Sequence, residues 1–152
     1  ADALNIIAED RDLLKLVPAN SILTPHPKEF ERLAGKTQND FERHELQISF
    51  SGNHKVIVVL KGAHTCITTP EGMVYFNSTG NPGMAKGGSG DVLTGMLTSL
   101  LAQGYSPIES ALLGVFLHGL AGDKAAQKKG MDGMIATDIV KGIPLAWMKM
   151  RM

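Results

Sequence analysis

A glycine-rich stretch, Asn77–Asp91 (NSTGNPGMAKGGSGD), constrains this chain more than any other segment. It follows a short apolar run and leads into a segment whose apolar residues recur at helical spacing. Backbone N–H groups in such a loop can turn towards an anion because glycine has no side chain, and a helix start adds unpaired N–H donors and a partial positive charge. We therefore predict a phosphate cradle at the loop, formed with the glycines that fall within eleven positions, Gly80, Gly83, Gly87, Gly88 and Gly90, and with Asn77 at its start.

The stretch matches neither of two common phosphate-binding patterns. A P-loop needs Gly-Lys-Ser/Thr at a set spacing, which is absent, and a dinucleotide fingerprint beginning at Gly88 needs a glycine where Leu93 stands. A flexible surface loop is the alternative, and the strand–loop–helix context counts against it. Lys86 inside the loop either contacts phosphate or is solvated.

Asp91 closes the loop in the first turn of the predicted helix. As a purely structural acid it would favour the helix dipole by about 0.3–1 kcal/mol. As a general base it would take a proton from a hydroxyl that attacks a cradled phosphoryl group. Spacing alone leaves both interpretations open.

Two further motifs follow predicted strands, where ligands of open α/β sheets bind. In Thr24–Glu29 (TPHPKE) two prolines stiffen the turn and fix the direction of His26, which is either functional or a surface or capping residue. In Lys61–Thr65 (KGAHT) Lys61 can meet a phosphate and Gly62 lets a ligand approach the backbone. The alternative for this segment is a hairpin turn with a solvated lysine.

Strands alternate with helices before a helical C-terminal third, which favours a layered α/β fold with a sheet flanked by helices. The strands are predicted at 21–24, 55–61, 63–69 and 73–77, the last two as a hairpin. The helices are predicted within 3–17, from Pro27 to Gly35, from Asn39 or Asp40 to about 52, from about Val92 to Gly104, from Ser106 to about 129, and last as a short helix capped by Thr137 and broken near Pro144.

Composition excludes several classes of partner. The chain has 152 residues and a formal net charge of zero, which argues against nucleic acid or an anionic membrane surface as a partner. No apolar run approaches the roughly 20 residues of a membrane span. Cys66 is the single cysteine and reads as a buried apolar residue, which suits a cytoplasmic protein. The histidines lack metal-ligand spacing, so no protein-built metal site is predicted.

Taken together, Asn77–Leu93, Thr24–Glu29, Lys61–Thr65 and Leu117–Asp123 (LHGLAGD) resemble the ADP/ATP-dependent NAD(P)H-hydrate dehydratases of the ribokinase-like superfamily. The long form NPGMAxGGxGD is more specific than the Gly-x-Gly-Asp that ribokinase-like kinases share. The resemblance implies a ribokinase-like fold. It also implies a cofactor-repair activity in which the S epimer of hydrated NADH or NADPH is dehydrated while ADP or ATP is hydrolysed.

The resemblance also implies roles for individual residues. His26 and Asp91 match substrate-contacting residues of the family, with Asp91 as the catalytic base. The nucleotide-binding matches are Lys61, Gly62, Ala63, His64, Thr65 and Gly90. The resemblance implies that glycine-loop amides stabilise the transferring phosphoryl group and that Mg²⁺ accompanies the nucleotide. It also implies that the protein forms a homotetramer.

Length is where the chain departs from the family, whose catalytic domain is nearly twice as long. Ala1–Asn5 resembles a stretch from the middle of that domain. We therefore expect residues 1–152 to be the C-terminal portion of a single dehydratase domain whose front part is missing. Two alternatives stay open, a ribokinase-like kinase for a hydroxymethyl-pyrimidine or thiazole alcohol and a non-catalytic nucleotide-binding piece.

Overall fold

The computed structural model describes residues 2–150, and the chain divides into two compact units, Ala1–Phe76 and Asn77–Met152. In the first unit a sheet packs with three helices and a single 3-10 turn. The strands are β1 (Ile22–Leu23), β2 (Ile57–Leu60), β3 (Cys66–Thr68) and β4 (Val74–Phe76), and the helices are α1 (Asp2–Glu9), α2 (Pro27–Ala34) and α3 (Asp40–His54), with the 3-10 turn at Arg11–Leu16.

The sheet of the first unit has the strand order β1-β2-β3-β4. β1 runs parallel to β2, with Ile22 opposite Ile57, whereas β2–β3 and β3–β4 are antiparallel. All four residues of β2 are buried, as its β-branched run predicts. The predicted hairpin at β3 and β4 is also confirmed. The motif Thr24–Glu29 follows β1 and the motif Lys61–Thr65 follows β2, so the two motifs follow neighbouring parallel strands.

The core of the first unit lies between the sheet and its helices. Phe30 and Leu33 of α2 are 1% and 2% exposed, and the ring of Phe30 meets Phe50 of α3 edge to face, with centroids 5.7 Å apart. This packing seats α2 against the sheet. It thereby fixes the start of α2, where His26 stands.

The second unit is helical, with a 3-10 turn at Pro82–Met84, α4 (Ser89–Ala102), α5 (Pro107–Lys129) and α6 (Ala136–Met150). A capping box begins α5 at the predicted position: the Ser106 hydroxyl accepts the Glu109 N–H at 3.3 Å, and the Glu109 carboxylate accepts the Ser106 N–H at 2.9 Å. Gly114 lets α5 approach α4, because a Cβ there would lie 2.6 Å from a methyl carbon of Leu97. Close contact of these two helices is therefore confirmed. In residues 2–150 no helix has the length and apolarity to cross a membrane.

The last helix differs from its prediction. It begins at Ala136 rather than after a Thr137 cap, and the Asp138 carboxylate accepts the Ile135 N–H at 3.1 Å. It also continues through Pro144 to Met150. Burial of Ile139 and Ala146 in the core of this unit keeps α6 helical although Pro144 supplies no N–H.

Candidate functional site

The glycine loop ends in a group of open backbone amides. Gly88 is the N-cap of α4 in a left-handed conformation, φ +85°, and no side chain caps the helix. Within residues 2–150 the N–H groups of Gly87, Gly88, Gly90 and Asp91 find no acceptor. We call these four N–H groups the amide nest. A helix start with uncapped N–H groups is the arrangement that binds a phosphate oxygen.

The first half of the loop is tied to α5. The carboxylate of Asp123 accepts the Gly80 N–H at 3.0 Å and the Asn81 side-chain amide at 2.9 Å. The Thr79 hydroxyl donates to the Phe116 carbonyl at 2.8 Å, and the Asn77 amide donates to the Thr79 carbonyl at 2.8 Å. Asn77, predicted as part of the phosphate loop, thus has a structural bond at the beginning of the loop.

The predicted loop glycines differ in what they do. Gly80 and Gly88 have φ values of +104° and +85°, which only glycine adopts without strain. Gly83 is in close contact with the chain, since a Cβ there would lie 2.7 Å from the Met131 carbonyl oxygen. Gly87 has open space around the position of a Cβ and keeps an ordinary φ. Backbone conformation therefore requires glycine at 80 and 88 and close packing favours it at 83, whereas Gly87 has room for a side chain.

Lys86 takes neither arrangement that its sequence context left open. Its ammonium group donates to the carbonyl oxygens of Met131, Asp132 and Met134 at 3.2, 2.5 and 2.8 Å. The side chain therefore joins the loop to the segment before α6.

Asp91 is the third residue of α4 and is exposed. Within the described part of the chain its carboxylate has no hydrogen-bond partner. The carboxylate of Asp123, by contrast, accepts two hydrogen bonds from the same loop. Asp91 thus stands beside the amide nest with a carboxylate that is free to accept a proton. Both sequence-based interpretations of Asp91 agree with this position.

His118 was missed by sequence reasoning as a contributor to this region. It lies buried on α5, and its Nε2 is 3.0 Å from the carbonyl oxygen of Ser89, the first residue of α4. Because a carbonyl only accepts, Nε2 carries the proton. Burial lowers the pKa of His118 more than the bond to Ser89 raises it, so the neutral ring is favoured. In the sequence His118 is a polar ring on an apolar helix face, and it stands in the motif Leu117–Asp123, to which no role was assigned.

In the first unit, His26 caps α2. Its Nδ1 accepts the Glu29 N–H at 3.2 Å, and the Glu29 carboxylate accepts the His26 N–H at 2.7 Å. The ring proton therefore lies on Nε2, and the side chain is 47% exposed. The capping alternative is thus present, and it leaves one ring edge accessible.

Glu29 joins the two predicted motifs of this unit. Its buried carboxylate lies 3.9 Å from the Lys61 ammonium and 3.6 Å from the His26 Nε2. The pKa of Glu29 is lowered: burial raises it, and the hydrogen bond from the His26 amide and the charge of Lys61 are among the interactions that lower it. The structure therefore brings His26, Glu29 and Lys61 together beyond the ends of β1 and β2.

The segment after Lys61 is open to solvent. Gly62, Ala63 and His64 are exposed, and the Thr65 hydroxyl donates to the Gly62 carbonyl at 3.4 Å. A Cβ at Gly62 would meet no atom within 4 Å. A ligand can therefore approach the backbone of this predicted nucleotide-binding segment.

Two other features of the chain bear on ligands. Residues 2–150 contain no group of three or more His, Cys, Asp or Glu side chains placed to hold a metal ion. A cavity of about 350 Å³ in the second unit lies between α4 and α6, with Met96, Ile143 and Trp147 in its wall. None of the predicted site residues lines it, so it is separate from the amide nest.

Comparison with known proteins identifies the family. The model of the NAD(P)H-hydrate dehydratase family matches residues 1–145. The chain therefore belongs to the NAD(P)H-hydrate dehydratase family, as its motifs predict.

Three relatives illustrate the similarity. The chain is 45% identical over 146 residues to a bifunctional NAD(P)H-hydrate repair enzyme of Moorella thermoacetica, covering 95% of this chain and 28% of that protein. It is 42% identical over 144 residues to an ADP-dependent (S)-NAD(P)H-hydrate dehydratase of Neisseria meningitidis, covering 91% and 49%. A crystal structure of the ADP/ATP-dependent dehydratase of Bacillus subtilis, co-crystallised with ATP/Mg²⁺ and soaked with CoA, gives a TM-score of 0.79 at 34% identity over 86% of this chain and 49% of that one.

These matches confirm the predicted ribokinase-like α/β fold. The chain spans half or less of the length of these relatives.

Proposed function

We propose that the protein catalyses the ADP- or ATP-dependent dehydration of the S epimer of hydrated NADH or NADPH, which returns the damaged cofactor to NADH or NADPH. One observation carries this proposal, the amide nest beside the unbonded carboxylate of Asp91. The names of the family and of its relatives supply the substrate. Co-crystallisation of the Bacillus subtilis dehydratase with ATP/Mg²⁺ supports a nucleotide as the phosphoryl donor.

In the proposed reaction the hydroxyl oxygen of the hydrate attacks the terminal phosphorus of the nucleotide. Asp91 takes the hydroxyl proton, a new P–O bond forms, and the bond to the bridging oxygen breaks, so that ATP leaves as ADP, or ADP as AMP. Phosphate then leaves with the C–O electrons, a neighbouring carbon loses a proton, and the ring double bond returns. The amide nest stabilises the charge on the transferring group because its N–H donors are already oriented.

The first unit contributes binding residues in this proposal. His26 contacts the hydrate through its ring, which stays about half exposed in the cap. Lys61, Gly62, Ala63, His64 and Thr65 bind the nucleotide, and Gly90 of the second unit contacts it. The exposed backbone after Lys61 and the open space at Gly62 support this assignment.

Mg²⁺ fits the residues that are present. The described part of the chain has no cluster of metal-binding side chains, and Mg²⁺ commonly binds through nucleotide phosphates with one or two carboxylates. Asp91 is an exposed carboxylate next to the nest. Bound with the nucleotide, Mg²⁺ would neutralise phosphate charge.

We further propose that the protein is a cytoplasmic homotetramer, as its resemblance to the family implies. The lone Cys66 is buried, and burial raises its pKa to about 11, which suits a thiol that stays reduced. Light scattering of the purified protein measures the oligomeric state.

The proposed activity is tested with the purified full-length protein, hydrated NADH and ADP. The wild type should regenerate the absorbance of the reduced nicotinamide. Asp91→Asn should lower kcat about 10²–10⁴-fold, because the attacking hydroxyl loses its base. Calorimetry should show that the variant still binds ADP, because the N–H groups of the nest are unchanged.

Three outcomes would contradict the proposal in different ways. No absorbance from an intact wild-type protein would refute dehydratase activity. A phosphorylated hydroxymethyl-pyrimidine or thiazole alcohol would favour the kinase alternative. ADP binding without turnover of any of these substrates would favour a non-catalytic nucleotide-binding piece.

A further inference from the structure

The stretch Ala85–Gly88 has a single side chain that can tether it. Ala85, Gly87 and Gly88 carry no polar side-chain atom, so Lys86 alone can form a side-chain hydrogen bond. The two ends of the loop are held elsewhere, by Asp123 at Gly80 and by His118 at Ser89. Between these ends, Lys86 provides the only side-chain hydrogen bonds from this stretch, beside the backbone bonds of its turn.

Three carbonyl groups surround the Lys86 ammonium. The oxygens of Met131, Asp132 and Met134 lie 3.2, 2.5 and 2.8 Å from Nζ, so each of its three N–H bonds has an acceptor. Met134 is fully buried, at 0% exposure, so one of the three acceptors belongs to a residue of the unit's core. We call the three oxygens the carbonyl cage.

The backbone of Lys86 is itself part of the turn that begins α4. Its carbonyl accepts the Ser89 N–H at 3.3 Å, and the amide nest begins at the next residue, Gly87. A shift of Lys86 therefore moves the nest directly. The loop also lies close to Met131 and Ala136, since a Cβ at Gly83 would be 2.7 Å from the Met131 carbonyl oxygen and one at Gly88 would be 3.0 Å from the Cβ of Ala136.

We propose that Lys86 is a positioning residue for phosphoryl transfer: its ammonium acts as a built-in cation in the carbonyl cage and holds the amide nest in the geometry that binds nucleotide phosphate. This inference rests on the proposed function. Lys86 as a whole is exposed, so a substitution there leaves the apolar core of the unit unchanged.

The test is ADP binding by the full-length protein, measured by calorimetry. Lys86→Met keeps the apolar stem and removes the cation, and its Kd for ADP should rise about ten-fold or more, because a misplacement of about 1 Å in a binding group has effects of this size. One ADP should still bind per chain. Lys128→Met removes an exposed lysine of α5 and serves as the matched control, with the Kd of the wild type.

Two further measurements test whether Lys86 acts on ADP affinity by positioning the amide nest, rather than through its charge alone or through the folding of the protein. The difference between Lys86→Met and wild type should persist at about 0.5 M NaCl, where attraction between exposed charges is screened. In Lys86→Ala, ammonium chloride should restore ADP affinity in a saturable way. Tetramethylammonium chloride at equal ionic strength should not, because it has no N–H donor.

Each contrary result has a defined meaning. Unchanged ADP affinity in Lys86→Met, loss of the difference at high salt, or failure of ammonium to restore Lys86→Ala would overturn the positioning role. A wild-type protein that binds ADP but does not turn over hydrated NADH would refute the proposed function and leave the role of Lys86 in phosphate binding standing. A wild-type protein that does not bind ADP would overturn both.

Discussion

Two aspartates of the second unit differ in their hydrogen bonds and therefore suit different roles. Asp123 of α5 uses both carboxylate oxygens to hold Gly80 and Asn81. Asp91 of α4 is exposed, and its carboxylate has no bond within residues 2–150. A proton acceptor must be free to change its bonding, so Asp91 suits proton transfer and Asp123 suits support of the loop.

We expect the two residues to differ in their effect on stability. Asp123→Asn puts an N–H donor where the loop needs an acceptor and should lower the free energy of unfolding by about 1–2 kcal/mol. Asp91→Asn should lower it by less than about 1 kcal/mol, the contribution of an exposed acid to the helix dipole. Urea denaturation followed by circular dichroism measures both, and equal losses would contradict the assignment.

At the scale of elements, the glycine loop is a well-supported segment. It is tied to α5 at its start, packs on the segment before α6 in its middle and is bonded to His118 at its end. The glycines of α5 contribute, since side chains at Gly119 and Gly122 would meet Thr79 and Met84. A supported loop holds its N–H groups in place before the nucleotide arrives, which is the condition for electrostatic stabilisation.

The loop glycines provide a matched pair of substitutions. Gly83→Ala places a methyl group 2.7 Å from the Met131 carbonyl oxygen and should cost about 1–3 kcal/mol of stability. Gly87→Ala meets open space at an ordinary φ and should change stability by less than about 0.5 kcal/mol. The midpoint of thermal unfolding distinguishes them. A Gly83→Ala protein as stable as wild type would show that the loop packs loosely.

The response of the whole molecule to acid follows from two buried groups, one in each unit. His118 has a lowered pKa because of burial, so below about pH 6.5 the unfolded chain binds a proton that the folded chain resists. Glu29 has a lowered pKa despite burial, so its contribution is present above about pH 4.5 and is lost as pH falls through its folded value. Both effects lower stability in acid, in two separate ranges.

Two variants test which residue causes the loss of stability in each pH range. His118→Gln keeps an N–H donor for Ser89 without a titrating ring, and should flatten the fall in stability between about pH 7 and 5. Glu29→Gln should flatten the fall below about pH 4.5. Urea midpoints measured from about pH 8 to about pH 2 test both expectations. A wild-type midpoint that does not change between pH 7 and 5 would contradict the buried neutral state of His118.

The sequence by itself determined the features that depend on near neighbours. The start of α5 at Ser106 and the hairpin of β3 and β4 form between residues a few positions apart, so their signals are local. For His26 the sequence left capping and a functional role open, and the structure shows the cap. The spacing of glycines before a patterned helix likewise predicted the amide nest. The motifs together indicated the family, which the family model confirmed.

The tertiary structure alone decided which distant residues support the site. Lys86 bonds to carbonyls 45 to 48 positions away, and His118 reaches Ser89 across 29 positions. α6 continues through Pro144 because its buried face packs into the core, which outweighs a local helix-breaking signal. Such contacts depend on how helices pack, and helix packing leaves no fixed spacing in the sequence.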